Sequence, residues 1–260
     1  MIFRKTAALL LLCAILTVGG CTGGGKKTGS AGARENQAQN LANLGAALLM
    51  QNEYIKALPQ LLKAKELSPK NADVENYLGL AYYGMKEYDL ALESYREALK
   101  LDPSRTDVHN NMGLIYMAKQ DYDKALEEFN ICLRDLVYQK QFLALSNIGT
   151  VYMQMKRYDE ALVPLMRSIE VAPDYGKAYQ LVGLVYLAQH RTSDAIDYLN
   201  NAARLDPNDY ETHMALGDAF TEMNKPEEAA QAYSQVPVLI PNTPMALEAQ
   251  KRARRIMGFE

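Results

Sequence analysis

Residues 72–105 read ADVENYLGLAYYGMKEYDLALESYREALKLDPSR. Four features of this segment recur along the chain: the Leu78-Gly79 pair, Tyr82 three residues on, then Ala91 and Pro103. Glycines stand at 45, 79, 113, 149, 183 and 217, at spacings of 34, 34, 36, 34 and 34. An alanine follows each glycine by twelve residues, at Ala57, Ala91, Ala125, Ala161, Ala195 and Ala229. Prolines recur at Pro69, Pro103, Pro173, Pro207 and Pro241, with Val137 in the one empty slot. Leu44-Gly45, Met112-Gly113, Ile148-Gly149, Val182-Gly183 and Leu216-Gly217 keep the register, and Tyr116, Tyr152, Tyr186 and Phe220 hold the aromatic position. Self-similarity at such a period marks a repeat array. Each glycine lets a neighbouring helix come close to the first helix of its unit, and each alanine does so on the second. Larger side chains would force the pair apart. Proline closes the unit because it cannot continue a helix without losing a hydrogen bond.

This pattern resembles the tetratricopeptide repeat, a 34-residue helix–turn–helix, at 38–71, 72–105, 106–141, 142–175, 176–209 and 210–243. Strand signals are nearly absent, and Ala, Leu, Glu, Lys and Met fill the chain, so the fold expected is all-α. The resemblance implies a right-handed superhelix, an α-solenoid, because no repeat buries its apolar face alone and neighbours must stack. Residues 244–260, PMALEAQKRARRIMGFE, supply a capping helix with Ala246, Ala249, Ala253, Ile256 and Met257 on one side. The basic cluster Lys251, Arg252, Arg254 and Arg255 suits helix-end solvation and dipole pairing better than contact with anionic lipid. Between the third and fourth repeats the period lengthens by two and the proline is missing. A longer second helix or an altered turn is expected there.

At the other end, Arg4 and Lys5 precede an almost wholly apolar run, Thr6 to Val18. That is the length of a signal-peptide core and too short to span a membrane. Val18-Gly19-Gly20-Cys21 then resembles the bacterial lipobox. The resemblance implies cleavage after residue 20 and a diacylated Cys21, with palmitate among three chains once the new amino group is modified. One acyl chain binds a bilayer only marginally, whereas three attach it for good. Thr22 follows where an aspartate would signal inner-membrane retention, so outer-membrane sorting, facing the periplasm, is expected. Residues 22–37, TGGGKKTGSAGARENQ, lack apolar periodicity. Residues 21–37 therefore read as a lipidated flexible tether spanning roughly 22 Å.

Without residues 1–20 the chain keeps 26 basic against 31 acidic residues, a net charge of −5. Nucleic acid is a poor partner for such a surface. Of the cysteines only Cys132 lies outside the leader and the lipobox, so no internal disulfide is expected. Cys132 occupies a small apolar position and reads as a buried, inert thiol. His109 and His213 fall at the fourth repeat position and His190 in a turn, none at metal-ligand spacing. There is no phosphate-binding glycine loop and no Gly-x-Ser-x-Gly elbow. The expectation is no enzyme, no metal, no small-molecule substrate, and no cofactor beyond the covalent lipid on Cys21.

What the repeat resemblance does imply is a groove, lined by the second, fifth, ninth and twelfth positions of each first helix. These are Asn76, Leu80 and Tyr83, then Asn110, Leu114 and Met117. Leu143, Ser146, Thr150 and Met153 follow, then Gln180, Leu184 and Leu187, with Lys177 as the one basic exception. An apolar lining with interspersed amides suits an amphipathic helix or extended peptide whose backbone the amides would bond. The alternative is that some of these side chains pack between repeats.

Signal, lipobox, tether and six repeats together resemble the pilotins of type IV pilus secretins, the PilF/PilW/Tgl group. Asp135, Tyr138 and ALSNIG at 144–149 look like that family's variant junction. The resemblance implies a lipid-anchored adaptor that binds the secretin subunit and promotes its outer-membrane localisation and multimerisation. A lipoprotein scaffold for periplasmic peptidases or cell-wall enzymes shares the anchor and the repeat, and is the alternative.

Overall fold

The computed structural model describes residues 25–259. Among them are thirteen helices and no strand. Paired in order they are α1 (Gly25–Met50) with α2 (Tyr54–Leu67), α3 (Ala72–Gly84) with α4 (Tyr88–Leu101), and α5 (Thr106–Ala118) with α6 (Tyr122–Arg134). Then come α7 (Gln141–Gln154) with α8 (Tyr158–Val171), α9 (Gly176–Ala188) with α10 (Thr192–Leu205), α11 (Tyr210–Glu222) with α12 (Pro226–Leu239), and α13 (Pro244–Ile256). The residues group into two compact bodies, one ending at Val108 and one starting at His109, inside the first turn of α5. Within each body, helix pairs stack in sequence order, as in an α-solenoid.

Each helix pair is closed by local chemistry. The Asn71 side chain accepts from the N–H groups of Asp73 (2.9 Å) and Val74 (3.3 Å), and Thr243 Oγ1 accepts from Ala246 N–H (3.2 Å). Such caps satisfy donors that the first turn of a helix leaves unpaired. Between paired helices one residue turns left-handed at the same repeat position: Asn52, Lys86, Gln120, Lys156, His190 and Asn224, with φ from 55° to 62°. Lys86 N–H then reaches Tyr83 O and Glu87 N–H reaches Tyr82 O, both at 2.9 Å. This double closure, a Schellman-type turn, holds a left-handed conformation that costs a non-glycine residue about 1–2 kcal/mol.

The glycines do what their spacing predicts, and the structure shows against what. A Cβ built on Gly45, Gly79, Gly113, Gly149, Gly183 or Gly217 would lie within 2.6 Å of Leu61, Tyr95, Phe129, Leu165, Leu199 or Tyr233 respectively. Each partner sits sixteen residues after its glycine, on the second helix, and each is buried. The alanines at 57, 91, 125, 161, 195 and 229 are fully buried beside them. In the first body Leu61 and Ala57 join Ala42, Ala64, Val74, Leu78 and Ala81 in one core. In the second, α13 closes the array by packing Ala249, Ala253 and Ile256 on Tyr233 and Val236.

Two expectations are corrected, and at the junction between the third and fourth repeats the altered turn, one of the two alternatives expected, is the one found. The tether expected at 21–37 is helical from Gly25 onward, as the N-terminal part of α1. Glycine content argued for coil, but tertiary contact overrides it: Arg34 Nη2 donates to Glu66 O (3.3 Å) and Ser68 Oγ to Glu35 (3.1 Å), fastening this turn to the end of α2. At the lengthened junction α6 is not extended; it has 13 residues, and the additional residues enter the turn at 135–140. There Asp135 accepts from Val137 N–H (3.0 Å), Tyr138 N–H (3.2 Å) and Gln141 Nε2 (2.8 Å). Met257 falls beyond the end of α13 and is exposed, not part of the packed side.

If the glycine contact sets the helix spacing, Gly113→Ala drives a methyl into the Phe129 ring, 2.5 Å from Cε1. Overpacking of this kind costs about 1–3 kcal/mol. Thermal unfolding followed by circular dichroism should show a lower midpoint, partly restored in Gly113→Ala/Phe129→Leu. An unchanged midpoint for the single variant would show that the contact does not govern packing.

Candidate functional site

In the first body, α3 presents Asp73, Asn76, Leu80 and Tyr83 at the positions expected to line the groove. Leu80 and Tyr83 are half-buried, and the Tyr83 ring lies 6.1 Å from that of Tyr88. Asn76 is different: it is 4% exposed, and its Nδ2 donates to Asp107 Oδ2 at 3.4 Å. Asp107 also accepts from Arg105 Nε (3.0 Å) and Nη2 (2.9 Å), while Arg105 Nη1 donates to Asp73. The hydrogen bond to Asp107 is the main reason that the guanidinium is held charged even more firmly than usual. Below this layer Tyr95 rests on Gly79, and its buried hydroxyl has no protein partner. Burial above all, then Tyr83 and Asp107, pushes that phenol well above the usual tyrosine range.

The second body repeats the arrangement. Asn110 is 8% exposed and its Oδ1 accepts from Asn147 Nδ2 at 3.0 Å. Ser146 and Ser168 hydroxyls lie 2.9 Å apart, Ser168 also lying within hydrogen-bond reach of Phe142 O, and Thr150 Oγ1 donates to Ser146 O. Gln180 is fully buried and donates through Nε2 to Asp209. Asp209 caps α11 by accepting from Glu211 N–H. The reading of Asn76, Asn110 and Gln180 as amides free to bond a bound peptide is therefore corrected. Polar groups packed between helices seek partners there: Asn76 and Asn110 find them in the following repeat and Gln180 Nε2 finds Asp209 just before α11, while Gln180 Oε1 has no protein partner. The uncharged lining that remains includes Leu80, Tyr83, Leu114, Met117, Thr150, Met153 and Leu184, all half-buried, while Asp73 and Lys177 at the second position are exposed and ion-paired with Arg105 and Glu211.

The inner face of the second body ends in a 310 Å³ cavity lined by Leu184, Leu187, Tyr210, Met214, Asp218, Met245 and Arg252. Arg252 folds back from α13: Nη1 donates to Asp218 at 2.6 Å and Nε to Glu248 at 2.9 Å. Tyr233 hydroxyl also donates to Asp218. The sequence reading missed this corner. Met214 and Asp218 hold the fifth and ninth positions of the sixth repeat, so the same positional rule carried one repeat further names them. Arg252 had no such signal, because its contact depends on how α13 docks.

The remaining reactive side chains sit in packing roles. His109 Nδ1 lies 2.7 Å from Glu128, His213 Nε2 2.9 Å from Pro207 O, and the buried Cys132 thiol faces Glu128 O at 3.6 Å. Among the described residues no three His, Cys, Asp or Glu side chains gather as a metal site. None of the helices in that range is long and apolar enough to cross a membrane. Cys21 and the expected signal peptide at 1–20 lie outside the described residues.

With this geometry in view, comparison with known proteins gives a consistent result. Tetratricopeptide-repeat family models match residues 72–105, 106–134, 140–208 and 186–253. No curated protein matches the chain in sequence. Among solved structures, PilF of Pseudomonas aeruginosa is similar at TM-score 0.69 and 22% identity, over 84% of this chain and 99% of that one. PilW, described as a widely conserved type IV pilus biogenesis factor, is similar at TM-score 0.71 and 18% identity, over 82% and 98%. A tetratricopeptide repeat protein of Parabacteroides merdae gives 0.67 and 20%, over 83% and 84%. At these identities the likeness concerns the fold. Glycine register, helix pairing and family models agree: the chain belongs to the tetratricopeptide-repeat family.

Proposed function

We propose that this chain is an outer-membrane lipoprotein adaptor of the type IV pilus machinery, a pilotin. It is held at the membrane by acyl chains on Cys21, binds a segment of the secretin subunit on the inner faces of its repeats, and promotes the secretin's localisation and multimerisation. The observation that carries the binding role is the state of those faces. With Asn76, Asn110 and Gln180 bonded internally, the uncharged lining left for a client is half-buried and chiefly apolar, and the charged Asp73 and Lys177 beside it are already held in ion pairs. An apolar client segment gains about 25 cal/mol for each Å² it buries there. The choice of client is supported by likeness in fold and length to PilF and to PilW, the latter a type IV pilus biogenesis factor. The anchor is supported by the Val18-Gly19-Gly20-Cys21 motif.

The mechanism is tethering: confinement at one membrane raises the effective concentration of client and adaptor for each other. Only three residues separate Cys21 from the first helical residue, Gly25. From Gly25 the helix runs thirteen residues, about 20 Å at 1.5 Å per residue, before the first repeat begins at residue 38, so the start of α1 sets how far the repeats stand from the anchor.

Cys21→Ala should give an unacylated protein that still folds, because every described helix starts after it. Membrane fractionation with mass spectrometry checks this; an acylated, outer-membrane Cys21→Ala protein would rule out the anchor. Leu80→Glu/Leu114→Glu should abolish secretin co-purification at unchanged helicity. Each carboxylate would have to be desolvated against an apolar client, at a cost of several kcal/mol. A folded double variant that still captures the secretin would exclude the inner faces as the binding surface.

A further inference from the structure

The outward face of α13 is a basic stripe with apolar ends. Leu247, Lys251 and Arg254 recur at the four- and three-residue spacing that places side chains on one side of a helix. That side is opposite Ala246, Ala249, Ala253 and Ile256, which are turned inward. Leu247 is 57% exposed, and Lys251 and Arg254 are exposed. The single acid described in the helix, Glu248, is bonded by Arg252 and also interacts with the charges of Lys251 and Arg255. Beyond the helix, Gly258 turns left-handed (φ 74°), and Gly258 N–H and Phe259 N–H bond to Arg255 O (3.2 Å) and Arg254 O (3.0 Å). This closure fixes Phe259 at the end of the stripe, 70% exposed.

Pairing with the helix dipole accounts for Arg254 and Arg255 in the last turn. It does not account for Lys251 earlier in the helix, nor for exposed Leu247 and Phe259 at either end of the charges. The whole chain is acidic, with a formal net charge of −3, so the stripe stands against the sign of the rest. Basic side chains flanked by an exposed leucine on the helix and an exposed phenylalanine just past its end are features of a surface that rests on a bilayer. The cations meet phosphate headgroups while the apolar groups enter the acyl boundary.

We propose that this face of α13 docks on an anionic phospholipid membrane, as a contact separate from the lipid anchor and independent of the client. An acidic protein patch fits the charges alone, but it leaves Leu247 and Phe259 unexplained.

The chain has no tryptophan, so Phe259→Trp in the full-length protein gives a single local fluorophore. It reports contact at this end however the N-terminus behaves. Its emission should move to shorter wavelength with phosphatidylglycerol vesicles, return with added salt, and stay put with phosphatidylcholine vesicles. Adding Lys251→Gln and Arg254→Gln should raise the lipid needed by about fivefold per charge removed, with thermal unfolding unchanged. Emission unmoved by phosphatidylglycerol, an equal shift with phosphatidylcholine, or indifference to the two charge removals would each overturn the proposal. So would a shift with polyglutamate and none with phosphatidylglycerol, which would assign the face to an acidic protein.

Discussion

The structure depends on one steric contact made in every repeat: the glycine on the first helix against the bulky residue sixteen places on. No side chain fits between them, since a Cβ at any of the six glycines would come within 2.6 Å of its partner. Interiors are packed to crystal-like density, so this contact sets how near the paired helices lie and how their outer surfaces are presented. The buried alanines serve the same end on the second helix. Since each repeat touches chiefly its neighbours, an error in one contact is passed along the stack and is not absorbed in a common core.

Fixing the helix spacing has a consequence for the inner faces. It brings the fifth position of one first helix under the next repeat, where Asn76, Asn110 and Gln180 become buried and bonded. Bonded polar groups stiffen the structure around them, although the buried Gln180 Oε1 is left without a protein partner. The faces are therefore a firm floor of internal hydrogen bonds with aliphatic and aromatic side chains standing on it. On the proposed reading a client would meet shape and apolarity there, with few amides on offer. The tyrosines at the bulky position show how the scheme varies. Tyr233 hydroxyl finds Asp218, which Arg252 also holds, whereas in the first body the ninth position is Leu80 and Tyr95 hydroxyl has no protein partner.

The repeat was legible in the sequence because its determinants are local and categorical. Only glycine fits at Gly113, and nothing but a break fits at Pro103. Less legible were features fixed by tertiary contact. Gly25 to Gln37 has the composition of a coil, yet it is helical, and contacts of Arg34 and Glu35 fasten its C-terminal part to the end of α2. Position alone placed Asn76, Asn110 and Gln180 in the groove, but what decides their role is the hydrogen-bond partner that Asp107, Asn147 and Asp209 supply. Arg252 looked like part of a solvated cluster, and its bond to Asp218 exists only once α13 has docked.

The central claim is that the inner faces hold a segment of the secretin subunit. Site-specific photocrosslinking in cells tests it most directly, with the photoreactive residue placed in turn at Met117 on the inner face and at Val163, which is 71% exposed on α8. The account predicts a secretin adduct from position 117 and none from position 163. An adduct from position 163 alone, or a cell-wall enzyme captured at position 117 in place of the secretin, would contradict it.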